Sequence, residues 1–275
     1  MGIMKCFIKR EKMIANYHTH TFRCHHAGDF SDEEYVLSAL DAGLKILGFS
    51  DHAPWPYKSD YVGRTRMLPE GLEEYIQSVN LLKEKYRDKI QICLGMECEY
   101  YPDYLPWLEK LHDSMDYLIF GCHWGPSDEH GELYFRNVTE TADLQNYFTY
   151  VFMGMESGLF SYLAHPDLAF SNYREFDNVC IDSSYALCRK ARSLDLPLEY
   201  NISGFRQKER GKLKGLGYPC NPFWEIAKET GCRAIIGVDA HGPDDIRNYE
   251  AICFAESYLE KLGIEVFETL PSLGV

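Results

Sequence analysis

Positive charge is scarce in this sequence: 28 lysines and arginines face 42 aspartates and glutamates over 275 residues, a formal net charge of -14. A surface of that sign repels anionic polymers and acidic membranes on average, which argues against nucleic acid or membrane as a partner. No apolar run approaches the length of a membrane span, and the opening MGIMKCFIKREKM has neither the apolar core nor the cleavage site of a signal peptide. The ten cysteines include no C-x-x-C pair, and several sit in apolar runs such as KIQICLGMECEY, where a free thiol acts as a small hydrophobe. A reducing, cytoplasmic setting is therefore expected. Linkers rich in Ser, Gly or Pro, charge blocks, low-complexity tracts and internal repeats are missing as well. One domain over residues 1–275 is expected, with 1–14 as an N-terminal appendage. Oligomeric state is not legible.

What is present is alternation. Seven strand-like segments, IANYHTH, LKILGFSDH, IQICLGMEC, MDYLIFGCH, FSYLAHP, PLEYNIS and RAIIGVDAH, are separated by helix-like ones. Ser31 and Glu34 form a capping box ahead of YVLSALDAG, which Gly43 ends. Asn221 and Pro222 open FWEIAKETG, which Gly231 ends, and a last helix is expected over 245–263. The pattern predicts an α/β fold: a distorted seven-stranded (β/α)7 TIM-like barrel. An open doubly wound sheet would carry a glycine-rich phosphate turn after the first strand, and here that turn holds histidines.

Six of the seven segments end in residues able to bind a metal: His18 and His20, His52, Glu97, His123, His165, and Asp239 with His241. Parallel barrel strands all end on one face, so residues far apart in sequence converge there. His18 and His20, like Asp239 and His241, are two apart and project to the same side of an extended chain. Imidazole and carboxylate suit zinc, manganese or iron, and Glu97 can bridge two ions as no histidine can. His112 and His130 fall outside the pattern and are read as surface residues.

HTHTFRCHHAG, FSDHAP, GMECEY, GCHW, AHPD and VDAH, in this order, resemble the successive motifs of the PHP superfamily (polymerase and histidinol phosphatase) over about residues 16–250. SDHAPWP and LEYNISGFR look most like its monofunctional histidinol-phosphate phosphatases. The resemblance implies the PHP barrel and three divalent transition-metal ions. His18, His20, Glu97 and Asp239 would hold the first, Glu97, His123 and His165 the second, and His26, His52 and His241 the third. His26 is selected over His25 because it lies six positions beyond His20, leaving His25 without a role. Hydrolysis of L-histidinol phosphate in histidine biosynthesis is the implied activity. The alternatives are a PHP phosphoesterase on a nucleotide or sugar phosphate, a nucleic-acid-processing PHP module, and a metal-binding protein without turnover.

Phosphomonoester hydrolysis needs a nucleophile and compensation of negative charge, and adjacent metals supply both. Glu97, Asp239, His241 and Arg206 are the expected catalytic set. The sixth strand offers no ligand, so Arg206 is expected to bind a small phosphorylated substrate through two parallel hydrogen bonds, with Asn201 and Ser203 orienting the site. Glu99 is expected to face the same cavity and hold a substrate imidazole or amine. Arg174, Arg64 and Arg66 are further phosphate candidates, for all of which solvated loop charge is the favoured reading. Trp55 and Trp124 are candidate walls of a ring-sized pocket. The basic run RQKERGKLK reads as a solvated loop or as a lid facing the substrate.

Overall fold

The computed structural model describes residues 13–130 and 133–273. The expected appendage lies outside the described residues up to residue 12. Residue 14 already belongs to the barrel, because the Ile14 carbonyl accepts from Lys45 N–H at 2.7 Å and Ile46 N–H at 3.1 Å.

All seven expected segments contain a strand: β1 (Ala15–Asn16), β2 (Ile46–Phe49), β3 (Gln91–Cys98), β4 (Tyr117–Phe120), β5 (Tyr162–Leu163), β6 (Leu198–Asn201) and β7 (Ala234–Gly237). They pair in sequence order, every pair parallel. Beyond the strands, His20 N–H donates to the Ala240 carbonyl at 2.8 Å and Ala240 N–H to the His18 carbonyl at 3.1 Å. This joins the last strand to the first at their carboxyl ends.

Strand parity divides the side chains. Ile92, Leu94, Met96 and Cys98 of β3 face the helices in the main core, whereas Cys93 joins an inner cluster with Tyr17, Ile46, Tyr117, Ile119, Tyr162, Ile235 and Leu270. That cluster draws on the amino-terminal halves of the strands and plugs the barrel floor. The Tyr117 hydroxyl inside it donates to the carbonyls of Tyr17 (2.7 Å) and Phe49 (3.0 Å). A Cβ on Gly95 would sit 2.3 Å from the Tyr117 ring, so glycine admits the ring. Inward positions nearer the carboxyl ends carry Glu97 and Glu199 instead, and there the barrel is polar.

The helices are α1 (Asp32–Ala42), α2 (Leu72–Tyr86), α3 (Leu105–Ser114), α4 (Thr141–Glu156), α5 (Asn178–Ser193), α6 (Ser203–Glu209), α7 (Asn221–Glu229), α8 (Pro243–Ile246) and α9 (Tyr249–Leu262). The capping box forms, with Ser31 N–H donating to Glu34 Oε2 at 2.8 Å, and Gly43 ends α1 at φ 79°. Asn221 and Pro222 open α7 as expected, with Cys220 as the cap before them. The single last helix expected over 245–263 is instead the short turn α8 followed by α9, whose Asn248 side chain caps Ala251 N–H. Eight described cysteines are buried free thiols, as their apolar settings predict. Cys253 departs from that reading and is disulfide-bonded. No helix among the described residues is long and apolar enough to cross a membrane.

Candidate metal centre

The segments following the strands bring the predicted side chains together. His18 Nε2 and His20 Nε2 are 3.1 Å apart. Glu97 Oε2 lies 3.4 Å from each, and Asp239 Oδ1 lies 3.7 Å from His18 and 3.3 Å from His20. Four donors around one ion at bonds of about 2.1 Å stand roughly 3.4 Å apart along tetrahedral edges. The observed spacings match that geometry. The other oxygen of Glu97, Oε1, faces a separate pair, 2.9 Å from His165 Nε2 and 3.5 Å from His123 Nε2. His26 Nε2 and His241 Nε2 are 2.8 Å apart, and a nitrogen of His52 completes a trio within 4.8 Å. His52 Nδ1 also lies 3.1 Å from Glu97 Oε2.

Glu97 Oε2 is buried without a hydrogen-bond partner. A buried carboxylate oxygen facing only imidazole nitrogens loses hydration with nothing hydrogen-bonded in return, and cations held among these donors would supply the missing partner. The residues thus fit metal ions of the kind that imidazole and carboxylate bind. His25 stands apart: it is exposed, at φ 62°, and ends the short turn Phe22–Cys24. His165 and Asp239 also hold positive φ, 29° and 51°, the kind of local strain that structures keep at functional positions.

Charge is graded across the cluster. Burial pushes the His18 imidazole down, but the carboxylates of Glu199, Asp239 and Glu97 overrule it and raise it to about 10. Burial likewise opposes, and fails to prevent, the downward pull of His123, His18 and His52 on Glu97, which is held well below the usual carboxylate range. His52 and His241 are pushed well below the usual imidazole range by burial and by neighbouring histidines, and His26 is lowered for the same reasons. The outer trio therefore presents neutral ring nitrogens, the form that binds metal.

A second layer of carboxylates orients these rings, and the sequence reading missed most of it. Glu199 on β6 accepts from His18 Nδ1 at 2.7 Å and, through its other oxygen, from His165 N–H at 3.0 Å. Its signal was available: it lies two before Asn201, on the same face of a strand, amid apolar neighbours. Asp51 accepts from the N–H groups of His52 (2.8 Å) and Thr21 (3.3 Å), tying the first loop to the second. The Glu199 contact sets the tautomer and orientation of the His18 ring, while Asp51 fixes the backbone that carries His52. Glu199→Gln is expected to weaken metal affinity roughly 10- to 100-fold, measured by competition with a chelator. A change under about threefold would remove Glu199 from this role.

The expected substrate contacts fare unevenly. The Arg206 guanidinium donates from Nη2 to the carbonyls of Val238 (3.0 Å) and Asp239 (2.7 Å), and Nε lies 3.2 Å from Asp245 Oδ1. The predicted two-bond fork is thus largely spent on bracing the backbone at Asp239, and Nη1 is buried without a partner. Asn201 is a brace too, donating to Glu199 Oε2 (2.8 Å) and Asp239 Oδ2 (3.2 Å) while accepting from Ser203 N–H (2.9 Å). Glu99 lines the cavity, and both its oxygens are already gripped by Arg66 at 2.9 and 3.0 Å, with Trp55 Nε1 and His123 Nδ1 completing the set. Despite burial, Arg66 and His123 hold Glu99 down at about 2. Arg66 is correspondingly a buried charge, not a solvated loop residue, and also bonds Asp128 Oδ2 at 3.1 Å.

Trp55 is buried in the core and is not among the residues that line the cavity. Trp124 lines the cavity and stacks on Tyr134 with centroids 5.0 Å apart. Ser203 lines it as well, whereas Arg174 is exposed and is not among its lining residues. Arg64, His112 and His130 are exposed. The cavity, about 400 Å³, opens over the histidine cluster, and Arg136, Gln207, Arg210, Lys212 and Tyr218 also line it. Three of these belong to the basic run, which therefore faces the site; Arg136 had no local signal.

Comparison with known proteins agrees with this architecture. A family model described as PHP domain matches residues 16–192. A Deinococcus radiodurans protein named "Probable histidinol-phosphatase" is 30% identical over 85% of this chain and 88% of its own. The Bacillus subtilis "Histidinol-phosphatase" is 23% identical over 83% of this chain and 94% of its own. Among solved structures, the Lactococcus lactis histidinol phosphate phosphatase, crystallised with zinc, L-histidinol and phosphate, superposes with a TM-score of 0.71 at 18% identity, over 94% of this chain and 96% of its own. With its barrel, its strand-end histidines and the matched residues in hand, the chain belongs to the PHP domain family.

Proposed function

We propose that the protein is a metal-dependent phosphomonoesterase that converts L-histidinol phosphate to L-histidinol and phosphate in cytoplasmic histidine biosynthesis. The observation that carries the reading is Glu97, whose two oxygens face two separate sets of nitrogen donors 2.9 to 3.5 Å away. The names of the Deinococcus and Bacillus relatives support the choice of substrate.

His18, His20, Glu97 and Asp239 would hold one ion, Glu97, His123 and His165 a second, and His26, His52 and His241 a third. Zinc, manganese or iron in these places would supply Lewis-acid charge and a nucleophile at neutral pH. The chain's own residues do the rest. Arg206 lines the cavity and fixes the backbone that presents Asp239. The His241 ring is steadied by its Nδ1 contact with the Asp239 carbonyl at 3.1 Å, which directs Nε2 toward His26. Trp124 and Tyr134 present an aromatic wall to the leaving alcohol and screen the site from water.

Phosphate release from a panel of L-histidinol phosphate, AMP and sugar phosphates tests the assignment. The expected result is a kcat/KM for L-histidinol phosphate at least about tenfold above the others. Equal or better turnover of AMP or a sugar phosphate would contradict it.

A further inference from the structure

In a chain with a net charge of -14, about half of the described cations away from the cavity are neutralised: Lys83, Lys85, Lys190 and Arg247, for example, each sit against a carboxylate. At the mouth of the cavity unpaired cations are gathered together. Arg136, Arg210 and Lys212 line it, and among the described residues none of the three has a carboxylate within ion-pair distance. The acids of the cavity do not cancel them either. Glu99 is taken by Arg66, Asp245 by Arg206, and Glu97 and Asp239 by the histidine cluster.

The Gln207 side chain holds Arg136, and backbone contacts hold the turn that carries Arg210 and Lys212. Gln207 Oε1 accepts from Arg136 Nη2, and Gln207 Nε2 reaches the Tyr218 hydroxyl at 3.4 Å. The basic segment turns at Gly211, φ 66°, with Lys212 N–H on the Gln207 carbonyl at 2.9 Å. Its far end is anchored by Lys214 N–H on Asn172 Oδ1 (3.1 Å) and Gly215 N–H on the Ser171 carbonyl (3.0 Å). Arg210 and Lys212 are therefore exposed charges on a tethered turn.

We infer that Arg136, Arg210 and Lys212 form a cationic collar that draws phosphate dianions through the repulsive field of the acidic surface and favours them over singly charged phosphodiesters. The second ionisation of a phosphate monoester falls near pH 6, so the substrate is mostly dianionic at neutral pH. Unpaired charges at a cleft mouth raise the local concentration of an oppositely charged ligand, an effect that salt screens. The inference deepens the phosphomonoesterase reading and rests on it.

The test is calorimetric titration of the metal-loaded full chain with inorganic phosphate at low and high sodium chloride. For the wild type, affinity should fall as salt rises. In Arg210→Gln/Lys212→Gln it should be roughly five- to tenfold weaker at low salt, with at least about half of the salt dependence lost. The control Lys228→Gln/Lys261→Gln changes net charge equally, away from the cavity lining, and should keep the wild-type response. Wild-type affinity and salt response in the collar variant, or a wild type whose phosphate binding ignores salt or is absent, would overturn the collar. Salt-dependent phosphate binding with the expected loss in the variant, but no hydrolysis of L-histidinol phosphate, would uphold the collar and strike the substrate assignment alone.

Discussion

Glu97→Gln is expected to lower hydrolysis of L-histidinol phosphate by about 10³-fold or more and to release bound metal. Glu97 is 1% exposed, and its oxygens lie within 3.5 Å of His18, His20 and His52 on one side and of His123 and His165 on the other. The amide matches the carboxylate in shape but has no charge and only one oxygen, so it cannot join two cations. Its NH2 would also point donors at nitrogens that are themselves meant to face a cation. Initial-rate assays together with elemental analysis separate the consequences. Activity and metal content should fall together, and a variant that keeps wild-type turnover would remove the bridged arrangement.

Arg66→Ala should be the most damaging change to the fold's polar interior. Arg66 is 2% exposed and pairs with both Glu99 and Asp128, themselves buried, while Tyr57 donates to Asp128 Oδ1 at 2.5 Å. Removing the cation strands two buried carboxylates, and breaking such a pair from one side costs about 3–5 kcal/mol. For a chain of this size that corresponds to a fall in Tm of roughly 10 °C. Because Glu99 also holds His123 Nδ1 at 3.0 Å, metal affinity should decline with stability. Denaturant unfolding of the metal-free variant checks the first effect. A loss below about 1 kcal/mol would mean that water enters and replaces the guanidinium.

The strands and the convergence of the strand-end histidines and carboxylates were legible because both follow from local rules. A strand shows itself by its apolar run, and a barrel brings strand ends to one face whatever lies between them. His26 needed more, since it sits in a loop and only the family spacing distinguished it from His25. The second layer was hidden because its pairings span the chain: His18 meets Glu199 across 181 positions, and Arg66 meets Glu99 across 33. Arg66 looked solvated because its loop is polar in composition; its burial is decided by Glu99, just past the end of β3, and by Asp128. Arg206 illustrates the same limit. Its residue type suggested a phosphate fork, but the backbone carbonyls of the seventh strand's end claim most of its donors. Glu199 alone was within reach, by the same two-residue parity that linked Glu97 to Glu99.

The most direct test of the whole account is to strip the protein with a chelator and follow phosphate release from L-histidinol phosphate as zinc, manganese or iron is returned in known equivalents. Activity should be absent in the stripped protein, return with metal, and reach its plateau near about three equivalents per chain. Full activity without metal, or a plateau at one equivalent, would contradict it.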